Sequence, residues 1–235
     1  KTKEVYNENH KEFEFEFLTE YMSDRNRERA REAERSGNRN RQPELYQFSL
    51  DDLILRSDGG AVLVAEQFYV YQERDYRYYP TFGYGSFYRN NMYDRYEFTT
   101  YYNYNDILVV NIRPNGEIEW TARIPKRQET ENDGGYFSSY AMSIVRDKIC
   151  FVFNDNGRNF DGKVQDNRLF NFNGRNSVIA LAEISKDGEV NISPLAGNRE
   201  AAVLTRPKVC KQIGRNQMAI YGEGVRKFRF GSLRL

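Results

Sequence analysis

The sequence predicts an all-β fold, a β-propeller-like repeat of four-stranded antiparallel sheets in which this chain supplies a C-terminal section. Three observations point there. Aromatic residues reach 15%, with 18 Tyr and 16 Phe beside one Trp, and flat side chains pack well on a pleated surface. A hairpin-like stretch recurs about seventy residues downstream, and a second kind of hairpin precedes each copy.

The recurring stretch is Tyr104 to Lys126, "YNDILVVNIRPNGEIEWTARIPK". Ile107 to Ile112 is an apolar strand candidate, and Asn115-Gly116 is expected to supply both positive-φ residues of a tight turn. Ile118 and Trp120 then resume alternation with Glu117 and Glu119. Further on, Val178 to Val190 reads "VIALAEISKDGEV". Asp187-Gly188 stands for Asn115-Gly116, Val190 for Ile118, and the run Val178–Leu181 for Ile107–Val110.

The other hairpin appears three times. Leu53 to Glu66, "LILRSDGGAVLVAE", turns at Asp58-Gly59-Gly60. Ala141 to Asp155, "AMSIVRDKICFVFND", is expected to turn at Asp147-Lys148, and Cys210 to Glu223, "CKQIGRNQMAIYGE", at Asn216-Gln217. A last strand, "KFRFGSLRL" from Lys227 to Leu235, begins what would be another second hairpin. Two hairpins make a four-stranded unit too small to bury both faces alone, so such units stack as propeller blades do. The alternative is a β-sandwich whose hairpins resemble one another because hairpins do.

The organisation that follows has five parts. Residues 1–22 are read as the end of a preceding blade or an N-terminal strand, with Phe13, Phe15 and Phe17 of "FEFEF" alternating as in an outer strand. Residues 23–43 form a charged, partly helical insertion. A first blade covers 44–126, interrupted at 68–104, a second covers 127–197, and part of a third covers 198–235. Propellers close with about four to eight blades, so the remainder is expected from a longer chain or a partner.

The insertion "SDRNRERAREAERSG" has a Ser/Asp start signal and stops at Gly37, but it carries no apolar stripe and is expected to be solvated. Its arginines alternate with Glu28, Glu32 and Glu34. Lys+Arg total 35 against 34 Asp+Glu, which gives no global field for nucleic acid and makes that partner class a poor fit. The 68–104 segment holds 12 of the 18 tyrosines. Tyr offers a broad apolar face and a hydroxyl at low entropic cost, so Tyr76, Tyr78, Tyr79, Tyr84 and Tyr88, with Arg77 and Arg89, are the candidate binding residues.

His10 is the only histidine, which removes the central group of Ser-His-Asp and Cys-His catalysis unless His10 itself serves. No metal or cofactor motif occurs, so no cofactor is expected. Glu66, Asp155 and Glu223 end the second strand of successive hairpins, where a propeller would bring them to one rim. Carboxylates so placed would suit glycan hydrolysis. Cys150 and Cys210 read as small buried hydrophobes, with a single disulfide as the alternative. No apolar run is long enough to span a bilayer as a helix. The chain opens at Lys1 without Met or an apolar leader, which reads as a removed signal peptide or as part of something longer.

The stretches "LDDLILRSDGGAVLVAEQFYVY", "DILVVNIRPNGEIEWTARIPKRQ", "NDGGYFSSYAMSIVRDKICFVFNDN" and "RPKVCKQIGRNQMAIYGEG" together resemble uncharacterised propeller-type proteins of Bacteroidetes. The resemblance covers most of 44–235 and carries no catalytic signature. It implies an exported protein, periplasmic or at the cell surface, with a protein partner such as an outer-membrane complex. The expected function is a non-catalytic binding or scaffolding module. The alternative is a glycan-active enzyme or carbohydrate-binding protein using rim carboxylates and Tyr stacking.

Overall fold

The computed structural model describes residues 10, 12–38, 40, 42–76, 96–162, 164, 168–198 and 203–235. Among the described residues two α-helices come first, α1 (Phe15–Thr19) and α2 (Asp24–Arg35), and antiparallel strands in three sheets follow. The first sheet runs β1 (Phe48–Leu55), β2 (Ala61–Tyr76), β3 (Tyr96–Ile112), β4 (Ile118–Ile124), with β5 (Glu129–Glu131) paired to β3 beyond the end of β4. The second runs β6 (Tyr140–Val145), β7 (Lys148–Asn156), β8 (Ser177–Ile184), β9 (Val190–Gly197). In the third, β12 (Gln217–Gly224) pairs along its whole length with β13 (Lys227–Arg234). Its opposite edge takes β11 (Lys211–Gly214) and, further along, β10 (Leu204–Thr205).

The sheets stack. Val62, Val64, Ile107 and Val109 of the first meet Phe151, Phe153, Ala180 and Ala182 of the second. On the other face of the second sheet, Ala141 and Val152 meet Cys210 and Met218 of the third. This is why Ile149 to Phe153 is unbroken apolar sequence: β7 is covered on both sides, so alternation is lost. Cys150 and Cys210 are both free and buried, which settles the earlier alternative against a disulfide.

One turn recurs in three hairpins. At Arg56–Gly60, Arg113–Glu117 and Ser185–Glu189 the first N–H donates to the fifth carbonyl at 2.8, 2.9 and 2.9 Å. Gly59, Gly116 and Gly188 take φ of +89°, +86° and +86°, whereas Asn115 and Asp187 do not have positive φ. The expectation of two positive-φ residues is therefore corrected. A type I turn is followed by one left-handed glycine, and Pro114 favours it by fixing φ at the first turn position. Two other turns sit one residue earlier than expected, at Arg146–Asp147 and Arg215–Asn216, because Val145 pairs with Lys148 and Gly214 with Gln217. The equivalence of the units also shifts by one: Ile112 pairs with Ile118 and Ile184 with Val190, so Ile107 answers to Ile179.

The "FEFEF" strand does not form. Phe15–Thr19 forms α1 instead, and Phe13, just before its extended N-cap Glu14, stacks on Phe17 of the first turn at 5.2 Å. Helix α2 begins and ends where its signals say, with Ser23 Oγ accepting from Asn26 N and Gly37 at φ +65°. It is not wholly solvated, because Ala30 and Ala33 are buried. Two small residues at i and i+3 make an apolar seam too narrow to register as a stripe. The described ends of the tyrosine-rich segment are strand, forming the base of an arm in which β2 and β3 continue their ladder to the pair Tyr76–Tyr96.

Consecutive units are pinned at their last hairpins. Trp120 of β4 donates Nε1–H to Lys186 O at 2.8 Å and lies over Gly188, where an added Cβ would stand 2.9 Å from the indole. Gly188→Ala should therefore destabilise the chain by about 1–3 kcal/mol. Gly134→Ala, which has positive φ but nothing within 4 Å, should cost less. Thermal denaturation of the two variants checks the order.

Candidate functional site

Between the first two sheets, where the arm departs, lies a buried polar knot. Lys126 follows β4 and is fully buried. Its Nζ donates to Glu66 Oε1 at 2.7 Å, Tyr104 O at 2.7 Å and Gln128 Oε1 at 3.1 Å, so all three protons are used. Glu66 Oε2 accepts from Ser139 Oγ at 2.7 Å, and Gln128 Nε2 donates to Asn154 O at 2.6 Å. Strands β2 and β3, the end of β4 and the entry to the second sheet are thus joined through one ammonium.

The three acids expected at a common rim do not gather. Glu66 shares the face of Val62 and Val64, towards the second sheet. Asp155 shares the face of Phe151 and Phe153, towards the first, so these two acids enter one layer from opposite sides. The counterpart of Glu66 in the repeat is Asn154, which pairs with Ile179 as Glu66 pairs with Ile107. Asn154 Nδ2 accordingly turns the other way, donating to Thr205 O of β10 at 2.7 Å. Glu223 lies in the third sheet, held by Arg206 at 2.8 Å and Tyr221 at 2.5 Å.

Burial dominates the electrostatics. It pushes the Lys126 ammonium below the usual lysine range, with Glu66 acting against the shift. It also raises Asp155 to about 6, although Asn156 N–H and Asn159 Nδ2 both donate to its carboxylate. Asp155 therefore binds its proton more tightly in the folded chain than in the unfolded one. Its contribution is fully present below about pH 4 and is lost as the pH rises through about 6. Asp155→Asn should gain about 2–3 kcal/mol relative to the parent between pH 4 and pH 7. Urea denaturation across that range checks this. Lys126→Met should cost about 3–5 kcal/mol, because Glu66 is left as an unpaired buried charge, and adding Glu66→Gln should restore part of the loss. The same titrations measure both.

The knot has an open cleft on each side. A smaller one of about 410 Å³ is lined by Glu66, Asp51, Tyr140 and Lys208 among others. There burial, and after it the Asp51 carboxylate to which Tyr140 donates at 2.9 Å, hold the phenol above its usual range. The larger, about 690 Å³, lies between the α1–α2 turn and the base of the arm. Lys126 and Asn103 are in its floor, Gln67 and Tyr69 on one wall, and Arg25, Arg127 and Arg168 around it. Asn103 is only 1% exposed, and its Nδ2 finds no acceptor among the described residues. Asp106, also in the lining, is bound by Arg123 Nε at 2.8 Å. Arg123 in turn lies over the ring of Tyr21 and so fixes the helical segment against the sheet.

Of the predicted binding residues, Tyr76 ends β2, while Arg77, Tyr78, Tyr79, Tyr84, Tyr88 and Arg89 lie outside the described residues. The nearer part of the arm does assemble rings, with Tyr71 stacked on Tyr101 at 4.8 Å and Tyr69 beside Tyr71 at 6.3 Å. Sequence reasoning passed over Lys126, Gln128 and Asn103. The one available signal was "PKRQ" directly after β4, where residues two apart in extended chain face the same way. Compared with known proteins, the chain matches no protein-family model, no curated protein and no solved structure.

Proposed function

We propose that this chain is a section of a β-propeller-type, non-catalytic binding or scaffolding module in a bacterial cell-envelope assembly. The observation that carries the reading is the state of the two outermost faces of the stack. On the first sheet, Leu53 and Leu55 are 51% and 77% exposed, beside Leu63 on the same face. On the third, Phe228 and Phe230 are 67% and 75% exposed, with Tyr221 packed on Phe230. Sheets of four strands with apolar faces on both sides are built to be covered by further sheets. The envelope setting follows the resemblance to Bacteroidetes propeller-type proteins.

The chemistry of the acids agrees with a non-catalytic role. Glu66 and Glu223 each line a cleft, but Glu66 is held by Lys126 and Ser139 and Glu223 by Arg206 and Tyr221, so neither is a free acid or base. The arm is the natural contact surface, since its ladder carries Tyr69, Tyr71, Tyr101 and Tyr102 past the end of β4.

Two measurements test the reading. The protein isolated from its source should have a native mass above 27.8 kDa, as a longer chain or a stoichiometric complex, and Phe228→Lys with Phe230→Lys should release a non-covalent partner. A solitary, well-behaved monomer at high concentration would sink the propeller reading in favour of a sandwich. Replacing 77–95 by Asn-Gly, which the Tyr76–Tyr96 pair is placed to accept, should leave thermal stability unchanged and abolish partner binding. Cleavage within a panel of polysaccharides, lost on substituting Asp51, would establish the enzymatic alternative instead.

A further inference from the structure

The 690 Å³ cleft beside the knot has a lining that describes one kind of ligand. Its charge is positive. Lys126 is matched by Glu66 and Asp106 by Arg123, which leaves Arg25, Arg127 and Arg168 against the carboxylate of Glu129. Among the described residues no carboxylate comes within ion-pair distance of those three guanidiniums. Guanidinium groups free to turn into a cleft suit a planar carboxylate, which they grip through paired N–H bonds.

Its floor holds a buried donor in want of an acceptor, Asn103 Nδ2. Such a group is disfavoured unless something fills the space above it. Around it stand Gln67, Asn105 and Asn26, whose amides keep donors and lone pairs beyond the bonds Gln67 Nε2 makes to Tyr46 O and Asn105 Oδ1 accepts from Gln128 N, and Tyr69 presents a ring. Vicinal hydroxyls, which both donate and accept, complement amides of this kind, while the C–H face of a sugar ring packs on an aromatic one. An acidic peptide would ask for apolar pockets for its side chains, and here only Met22 and Leu169 are aliphatic.

We propose that this cleft binds an acidic carbohydrate, with a hexuronate residue of a polysaccharide seated over Asn103 and its carboxylate taken by Arg127 and Arg168. The volume suits a short run of sugar residues. The first turn of α2, through Ser23, Arg25 and Asn26, forms part of the same wall. None of the outer-face residues Leu53, Leu55, Phe228 and Phe230 lines the cleft, so the scaffold reading stands or falls without it.

The test is calorimetric titration of the whole chain with tetragalacturonate, with maltotetraose as the neutral control and a tetraglutamate peptide as the acidic one. Tetragalacturonate should bind, weaken with added salt, and lose at least about tenfold in affinity in R127Q/R168Q. N103D, which replaces the donor by a charged acceptor, should lose at least as much. If N103D does not fold, R127Q/R168Q decides, because its guanidiniums pair with no described acid. Equal binding of maltotetraose, tighter binding of the peptide, unchanged affinity in R127Q/R168Q, or no binding at millimolar tetragalacturonate would each overturn the assignment.

Discussion

The structure turns on one buried ammonium. Taking Lys126 out of water is so unfavourable that its three protons must all find oxygens, and the oxygens chosen come from β2, from β3 and from the segment leading to the second sheet. The hydrophobic layer of Val64, Val109, Phe151 and Phe153 draws the sheets together without fixing how they slide. The knot adds direction. Glu66 must meet Lys126 and Ser139 at once, and Gln128 must reach both Ser139 N and Asn154 O, so one relative placement satisfies every group. Asn154 then carries the constraint through the second sheet to Thr205 and so to the third.

That arrangement explains why both clefts lie where they do. Lys126 faces the larger cleft and Glu66 the smaller, so the ion pair is the wall between them. A wall made of satisfied charges is rigid and polar. It can support ligand-facing side chains such as Asn103 and Tyr69 without taking part in chemistry itself. The same satisfaction argues against catalysis at Glu66, because a general acid or base must be able to exchange its proton with something that arrives.

The sheets were legible because their signals are local. Alternation, Gly at the turn and an apolar run bounded by polar residues are all decided within a few positions, and the three Gly-containing turns repeat almost identically. What was misread depended on distant partners. "FEFEF" alternates, yet its second half enters α1 and Phe13 folds back from before the N-cap to stack on Phe17. The site was less legible still. Nothing in "PKRQ" says that Lys126 will be buried, since lysine is ordinarily the most solvated of residues and only the tertiary meeting of Glu66, Tyr104 and Gln128 permits it. The phase of Asp155 was lost in the same way: one residue along a strand changes the face, and the repeat alone, read without the ladder, cannot fix that.

The placement of polar side chains along β7 shows how the stack reconciles two demands. Buried on both faces, this strand cannot send polar groups to solvent, so its last three residues, Asn154, Asp155 and Asn156, must each find partners inside. Asn154 turns to the third sheet, Asp155 to Asn159 in the loop that follows, and Asn156 to Asn171 on the return of that loop. Asn171 in turn grips both the N–H and the carbonyl of Glu129, beside the larger cleft. The described ends of the loop after β7, at Asn159 and Asn171, are therefore tied down. The returning end is held to Glu129 of the first unit because the strand has no water to satisfy Asn156, and just before that anchor Arg168 lines the cleft.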